Sequence, residues 1–167
     1  MTRWILIADV GRACIFGGNS LHGYMRLLRR IANPKGRAHR ETLGATAPGR
    51  VRKSVGNVYS SINWRTDPHE IETKRFAQRL AKLLERERVH DRYGELAIVA
   101  PPHFLGALRN LIGVHTADAL RDCVPQDCSK FRIRELDKHL KMILPDFMRA
   151  EASLVEAVKS ATTPDRK

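Results

Sequence analysis

The stretch Trp4-Ile-Leu-Ile-Ala-Asp9 decides the fold class, because its unbroken run of apolar residues is typical of a β-strand buried on both faces. A second run of this kind, Glu95-Leu-Ala-Ile-Val-Ala100, lies much later in the chain. Strands buried in this way occupy the centre of a sheet that is covered by helices. The two runs therefore predict an α/β protein with both segments as central strands.

The residues that follow Asp9 predict two further strands. Gly11 marks a turn into the apolar run 13–16, which is closed by two glycines. A third strand is predicted from Gly23 to Ile31, where apolar residues mix with arginines, and Asn33-Pro34 then ends regular structure. We therefore expect the chain to begin with an antiparallel meander.

A long helix is predicted from Asp67-Pro-His-Glu70, which supplies an N-cap, a proline at the first helical position and a glutamate for a capping box. It should end near Arg88. Its apolar residues recur at helical spacing and are expected to face the core. These residues are Ile71, Phe76, Leu80, Leu83 and Leu84.

The remaining segments complete the sheet and its cover. Pro101-Pro102 is expected to turn the strand at 95–100 into a short helix. An edge-like strand is predicted at 130–136 and a last helix at 145–160. The order β-β-β-loop-α-β-α-β-α predicts a mixed β-sheet with helices packed on it.

Length and composition favour a single α/β domain over residues 1–161 with a frayed tail at 162–167. The early apolar run is too short for an export signal or a membrane span, so we expect a cytoplasmic protein. The cysteines have no zinc-type spacing and should be reduced, with Cys14 packed in a strand. Because the chain also holds no glycine-rich nucleotide motif, we predict no cofactor and no metal.

Positive charge is concentrated at the beginning of the chain. The net charge is +12, and residues 1–67 carry twelve Lys and Arg residues against three acids. The segment 34–66, which has almost no apolar periodicity, predicts a flexible basic loop. This asymmetry favours an anionic partner, with nucleic acid first, acidic lipid headgroups second and acidic protein third, although a merely solvated loop is the alternative interpretation. The predicted RNA-binding residues are Arg37, Arg40, Arg50, Arg52, Lys53, Tyr59 and Trp64.

Three acids are candidates for a metal-dependent phosphodiesterase. Asp9 follows the first strand, while Glu135 and Asp137 lie near the end of the predicted last strand. Adjacent strands would bring these carboxylates together as in a ribonuclease-H-like site for Mg²⁺. The simpler interpretation is that Asp9 accepts backbone hydrogen bonds before Gly11, and that the other two acids pair with basic neighbours.

Two histidines are weaker candidates for a general base. His69 and His103 are each predicted in the first turn of a helix. Neither has a nucleophile or an orienting partner at a recognisable spacing, and no G-x-S-x-G elbow surrounds any serine. A polar residue in a first helical turn is therefore the simpler interpretation of both, and the sequence favours a role without catalysis.

Four ordered stretches, at 4–16, 66–77, 100–109 and 135–140, resemble the bacterial host-attachment protein family. That family is similar to the middle domain of the eukaryotic and archaeal peptide-chain release factors. The resemblance implies an α/β fold like those of ribosomal and tRNA-handling proteins. It also implies an association with RNA or the ribosome.

Release factors of that class carry a Gly-Gly-Gln tip on the loop after their early strands. The corresponding segment here contains neither a Gly-Gly pair nor any Gln. The resemblance therefore implies an RNA- or ribosome-associated domain that lacks peptidyl-tRNA hydrolysis. A protein-interaction factor that acts indirectly in attachment stays open as an alternative, and the sequence leaves the oligomeric state undetermined.

Overall fold

The computed structural model describes residues 2–19, 25–37, 68–128 and 130–148. Within these residues, five strands form one mixed sheet in the order β3-β2-β1-β4-β5. The strands are β1 (Thr2–Ala8), β2 (Arg12–Asn19), β3 (Arg26–Ala32), β4 (Glu95–Ala100) and β5 (Leu120–Pro125). The helices are α1 (Pro68–Val89), α2 (Pro102–Arg109), α3 (Val114–Asp118), α4 (Ile133–Ile143) and α5 (Pro145–Met148), and residues 34–37 are also helical.

Strand pairing places β1 at the centre of the sheet. β1 pairs antiparallel with β2, where Ile5 lies opposite Phe16, and parallel with β4, where Leu6 lies opposite Ile98. β3 continues the meander antiparallel to β2, and β5 lies parallel to β4. The predicted α/β class, the opening meander and the central position of 4–8 and 95–100 are confirmed.

Side-chain alternation along β1 divides the core into two layers. Leu6 and its neighbours on one face pack against α1 and α2. Ile5 and Ile7 on the other face pack against α4 and α5. The helical residues that cover the two faces are Phe76, Leu80, Leu84, Phe104 and Leu108 on the first, and Leu136, Leu140, Phe147 and Met148 on the second.

Helix α1 confirms the predicted long helix with one exception. Phe76, Leu80 and Leu84 are buried, and Leu83 is half-buried. Ile71 was expected to face the core, but this is wrong because its side chain is 36% exposed. The apolar stripe of the helix therefore starts after Ile71.

The strand predicted at 130–136 is wrong, because α4 begins at Ile133. The leucines at 136, 140 and 144 recur every four residues and fill the core face of the helical segment, which a strand would not allow. The fifth strand lies instead at Leu120–Pro125, a segment that we did not predict as a strand. When consecutive helices are counted as one, the strands and helices nevertheless follow each other in the predicted order.

The described residues cover only part of the other predicted segments, which are the third strand, the last helix, the basic loop and the tail. The third strand spans Arg26–Ala32, close to the predicted range, and the last predicted helix is described only over Pro145–Met148. Residues 34–37, which were predicted to begin the basic loop, are helical, and the rest of that segment and the predicted tail lie outside the described residues. Among the helices that the structure describes, none is both long and apolar enough to cross a lipid bilayer.

Candidate functional site

A cleft of about 580 Å³ lies at the carboxyl end of β1. Its walls come from the turn between β1 and β2, the end of β3, the helical residues 34–37 and the segment that leads into α4. Open α/β sheets commonly bind ligands at the carboxyl ends of their parallel strands. The cleft therefore occupies a position where a binding site is expected.

Asp9 builds the turn that forms one wall of the cleft. Its Oδ1 accepts hydrogen bonds from the backbone N–H groups of Gly11, at 2.6 Å, and Arg12, at 3.0 Å. Its Oδ2 lies 3.7 Å from Nε of Arg12. The carboxylate is only 6% exposed, so these contacts offset the cost of its burial. The interpretation of Asp9 as an acceptor for the turn before Gly11 is confirmed.

A second set of backbone contacts joins this turn to residues 34–37. The Asn33 side chain donates to the carbonyl oxygen of Val10 at 2.7 Å, and the Asn33 N–H donates to that of Gly11 at 2.8 Å. The Arg37 N–H in turn donates to the carbonyl oxygen of Asn33 at 3.1 Å. Because a Cβ on Gly36 would overlap the Val10 carbonyl, only glycine fits there without a shift. These contacts fix Arg37 at the rim of the cleft.

Three arginines line the cleft. Arg12 follows the first turn, Arg30 lies opposite Cys14 in the β2–β3 register, and Arg37 ends the helical residues 34–37. Asp9 is the one acid among the lining residues that the structure describes. The cleft therefore carries an excess of positive charge, and guanidinium groups suit planar, bidentate contacts to phosphate.

The opposite wall of the cleft is apolar. Ile7 and Leu136 are buried there, and Phe131 is half-buried. The Phe131 ring stacks on His139 with a centroid distance of 4.2 Å, and His139 Nε2 lies 2.9 Å from Nε2 of Gln126. These contacts hold the aromatic ring in place. The cleft thus combines a cationic rim with an apolar, partly aromatic wall.

Cys14 is the half-buried thiol of the cleft. Burial raises its pKa above the usual 9.0, and the nearby guanidinium groups of Arg12 and Arg30 oppose that shift only in part. The thiol is therefore protonated at neutral pH and is a poor nucleophile. Cys14 is free and lies in a strand, as predicted, and the other two cysteines are also free.

The predicted carboxylate cluster does not follow from this topology. Glu135 lies on α4, where its Oε2 accepts a hydrogen bond from the Arg132 N–H at 3.0 Å. Asp137 also belongs to that helix, and its side chain lies outside the described residues. The expectation that both acids end a strand is therefore wrong. In the portion of the chain that the structure describes, no three His, Cys, Asp or Glu residues are grouped as a metal site requires.

The predicted histidines lie near the same edge of the sheet but do not line the cleft. His69 is half-buried in the first turn of α1, and His103 is exposed in the first turn of α2. His103 forms no hydrogen bond with any residue of the described ranges. The described residues thus provide His103 with no orienting hydrogen bond for general-base catalysis.

Arg37 is the one predicted RNA-binding residue inside the described ranges, and it lines the cleft. The other predicted residues lie outside those ranges. They are Arg40, Arg50, Arg52, Lys53, Tyr59 and Trp64.

Arg37 and Pro68, the described residues on either side of positions 38–67, both lie on the cleft side of the sheet. The chain reaches Arg37 in the cleft before the segment. Helix α1, which begins at Pro68, runs away from that edge, since Arg79 donates to the Ala32 carbonyl at 2.8 Å while Glu87 lies 3.5 Å from Arg29, three residues earlier in β3. Pro68 precedes Arg79 in this helix, so at a rise of 1.5 Å per residue it lies about 16 Å from Arg79 along the helix axis, in the direction of the cleft.

The sequence alone does not identify Arg12, Arg30 or Phe131 as cleft residues. Arg30 belongs to the arginine-rich third strand, which was a visible signal of charge. Nothing in the sequence spacing joins it to Arg12 or Phe131, because the strand register and the path of the chain into α4 bring them together.

Comparisons with known proteins bear on the family and the fold. A family model described as a protein required for attachment to host cells matches residues 4–140. No curated protein matches the chain.

Three solved structures are similar to the chain at low identity. One is described as an archaeal protein, with 11% identity, a TM-score of 0.46 and coverage of 95% of this chain and 38% of that one. The type II variant of the Aquifex aeolicus Ppx/GppA phosphatase is 12% identical, with a TM-score of 0.37 and coverage of 74% of this chain and 35% of that one. The archaeal translation termination factor aRF1 is 10% identical, with a TM-score of 0.39 and coverage of 94% of this chain and 42% of that one. The chain thus spans about two fifths of the length of these structures.

Proposed function

The chain belongs to the family of proteins required for attachment to host cells, and we propose that its own biochemical activity is to bind RNA. The site is the cationic cleft at the end of β1 together with the basic segment that follows Arg37. The observation that supports this most strongly is that Arg12, Arg30 and Arg37 line one cleft, and the basic segment follows Arg37 in the sequence. The ribosome, in the cytoplasm of a bacterium, is the RNA-rich target that we place first.

The positive surface continues beyond the cleft along β3. This strand is at the edge of the sheet, and Arg26, Arg29 and Arg30 are all exposed on it. Glu87 lies 3.5 Å from Arg29, but the arginine side chain is 48% exposed, so this ion pair is well screened by solvent. Exposed arginines of this kind suit contacts to a phosphate backbone, and each contact gains affinity by releasing condensed counterions.

A binding role fits the chemistry of the cleft better than a catalytic one. The Asp9 Oδ1 lone pairs are used by two backbone N–H groups, and the Cys14 thiol stays protonated at neutral pH. The sequence between Pro34 and Asp67 has no Gly-Gly-Gln for placing water at a peptidyl-tRNA ester. We therefore propose a factor that binds RNA without hydrolysing it and influences attachment indirectly.

The test compares two double variants that remove the same charge, one at the carboxyl end and one at the amino end of the parallel strands. Arg30→Ala with Arg37→Ala removes the rim of the cleft. Arg92→Ala with Arg121→Ala removes exposed charges at the other edge, where Gly94 N–H donates to the Thr2 carbonyl at 2.9 Å and Arg121 lies 3.5 Å from Glu95. The affinity of each protein for a labelled single-stranded RNA is measured by fluorescence anisotropy.

The cleft variant should bind RNA about tenfold more weakly or worse, because charge-assisted hydrogen bonds to phosphate are lost. The control variant should stay within a few-fold of the wild type. Co-sedimentation with ribosomes should show the same ranking and should weaken as salt is raised. Equal weakening of the two variants, or none in the cleft variant, would remove this surface from the proposed function.

A further inference from the structure

We propose that the cleft receives the base of one unpaired nucleotide while arginines at its rim hold the adjoining phosphate. This inference rests on the proposed RNA-binding function and specifies how the described residues would contact the strand. The ligand chemistry is that of a nucleoside monophosphate, whether it belongs to an RNA strand or is free.

The dimensions of the cleft fit such a ligand. Its volume of about 580 Å³ lies within the usual range for small-molecule sites. A phosphate alone would leave most of this space filled with water, whereas a base with its ribose would occupy a large part of it.

The distribution of polar and apolar groups matches the two ends of a nucleotide. Arg30 and Arg37 are exposed at the rim, where a phosphate can stay partly solvated. Ile7, Phe131 and Leu136 give the wall an apolar surface that a base can cover. Because Phe131 already stacks on His139, its ring loses little conformational freedom when a base packs against the wall.

The same wall predicts weak discrimination among bases. Stacking and apolar contact accept every base, whereas discrimination needs hydrogen bonds to the base edge. The carboxylate of Asp9, the acid that lines the cleft, already accepts two backbone hydrogen bonds through Oδ1. The cleft should therefore bind unpaired nucleotides of different sequence with similar affinity.

Two cysteines provide a direct test with an internal control. Cys14 and Cys123 are both half-buried, and burial raises the pKa of both thiols. Cys14 lines the cleft and Cys123 does not. The rate of alkylation of each thiol by iodoacetamide is followed by mass spectrometry at mildly alkaline pH. The probes are adenosine monophosphate, ribose 5-phosphate and a single-stranded oligoadenylate.

Adenosine monophosphate and the oligonucleotide should each slow alkylation of Cys14, by about tenfold at about ten times the dissociation constant, because only the free protein reacts. Alkylation of Cys123 should be unchanged. Ribose 5-phosphate, which lacks the base, should protect Cys14 much less. Equal protection by ribose 5-phosphate, or equal slowing at both cysteines, would overturn base insertion. Protection by the mononucleotide without protection by the oligonucleotide would overturn the assignment to RNA.

Variants separate this inference from the proposed function. Ala32 is exposed and lines the cleft, so Ala32→Trp should fill it without disturbing the core, and Ala117→Trp, at an exposed position of α3, is the control. Protection of Cys14 should be lost in Ala32→Trp and kept in Ala117→Trp, each rate being compared with that of the same variant without ligand. If RNA still binds through the arginines while Cys14 is never protected, base insertion fails and the proposed function stands. If RNA does not bind at all, the proposed function fails with it.

Discussion

Gly36 packs so closely against the β1–β2 turn that a Cβ would overlap the Val10 carbonyl and lie 2.8 Å from Nδ2 of Asn33. Gly36→Ala should therefore lower the free energy of unfolding by about 1–3 kcal/mol, as overpacking does. Gly106→Ala is the matched control, because a Cβ at this position in α2 would meet nothing within 4 Å. That change should stabilise the protein by about 0.5–1 kcal/mol. Urea unfolding curves measure both, and a neutral Gly36→Ala would contradict the packing described for the cleft rim.

The variant Asp9→Asn tests whether the Asp9 carboxylate is structural or binds a metal ion. Asp9→Asn keeps an oxygen that can accept from the Gly11 and Arg12 N–H groups, so the turn and the cleft should survive. We expect RNA affinity within a few-fold of the wild type. Calorimetric titration with Mg²⁺ should show no specific site. Tight stoichiometric Mg²⁺ or Mn²⁺ binding that Asp9→Asn abolishes would instead revive the phosphodiesterase hypothesis.

At the scale of elements, α1 covers one face of the sheet through a narrow apolar stripe. Leu80 is 1% exposed in that stripe, whereas Ile71 on the same helix is 36% exposed. Leu80→Ala should cost about 2–5 kcal/mol of unfolding free energy because it leaves a cavity. Ile71→Ala should cost far less. Thermal or urea unfolding measures both, and similar losses would mean that the stripe is misplaced.

The contact between α1 and α3 predicts a dependence of stability on pH. Glu85 accepts two hydrogen bonds from Arg88, at 2.7 and 3.0 Å, and one from the buried Thr116 hydroxyl at 2.5 Å. These bonds lower the pKa of Glu85 from 4.5 to about 2. Since the folded state disfavours the protonated carboxyl, the stabilisation is complete above pH 4.5 and is lost as pH falls toward 2.

Glu85→Gln should therefore flatten the fall in stability over that acidic range, and Thr116→Val should do so to a smaller extent because it removes one donor. Unfolding curves recorded at several acidic pH values measure the effect. An unchanged pH profile in Glu85→Gln would contradict the assigned cause of the shift.

The elements also show what the sequence could and could not predict. β1, β4 and α1 were predictable because uninterrupted apolar runs and a helix start signal are local features. β5 was not, because Arg121 and Asp122 interrupt its apolar residues and its pairing with β4 is a tertiary contact. The helical spacing of α4 is present in the sequence, but over 130–136 it coincides with an alternation of apolar and basic residues that also fits a strand.

For the whole molecule, the site was predictable only in outline. The charge asymmetry and the hydrogen-bonding role of Asp9 came from the sequence. The cleft did not, because it depends on the β2–β3 register that sets Arg30 opposite Cys14 and on the return of the chain at Phe131. Residues so distant in sequence share no spacing rule. The folded chain thereby adds a defined cavity to a basic surface.

The central claim is that the cleft and the basic segment after Arg37 bind RNA phosphates. Each phosphate contact on a single strand contributes about −0.7 to the slope of log affinity against log salt concentration. Replacing Arg50, Arg52 and Lys53 by Ala together should reduce the slope magnitude by about 2 if all three make contacts, and it should leave thermal stability nearly unchanged. Arg30→Ala with Arg37→Ala should reduce it further, while Arg92→Ala with Arg121→Ala should not. Unchanged slopes in both the segment variant and the cleft variant, with RNA binding intact, would contradict the claim.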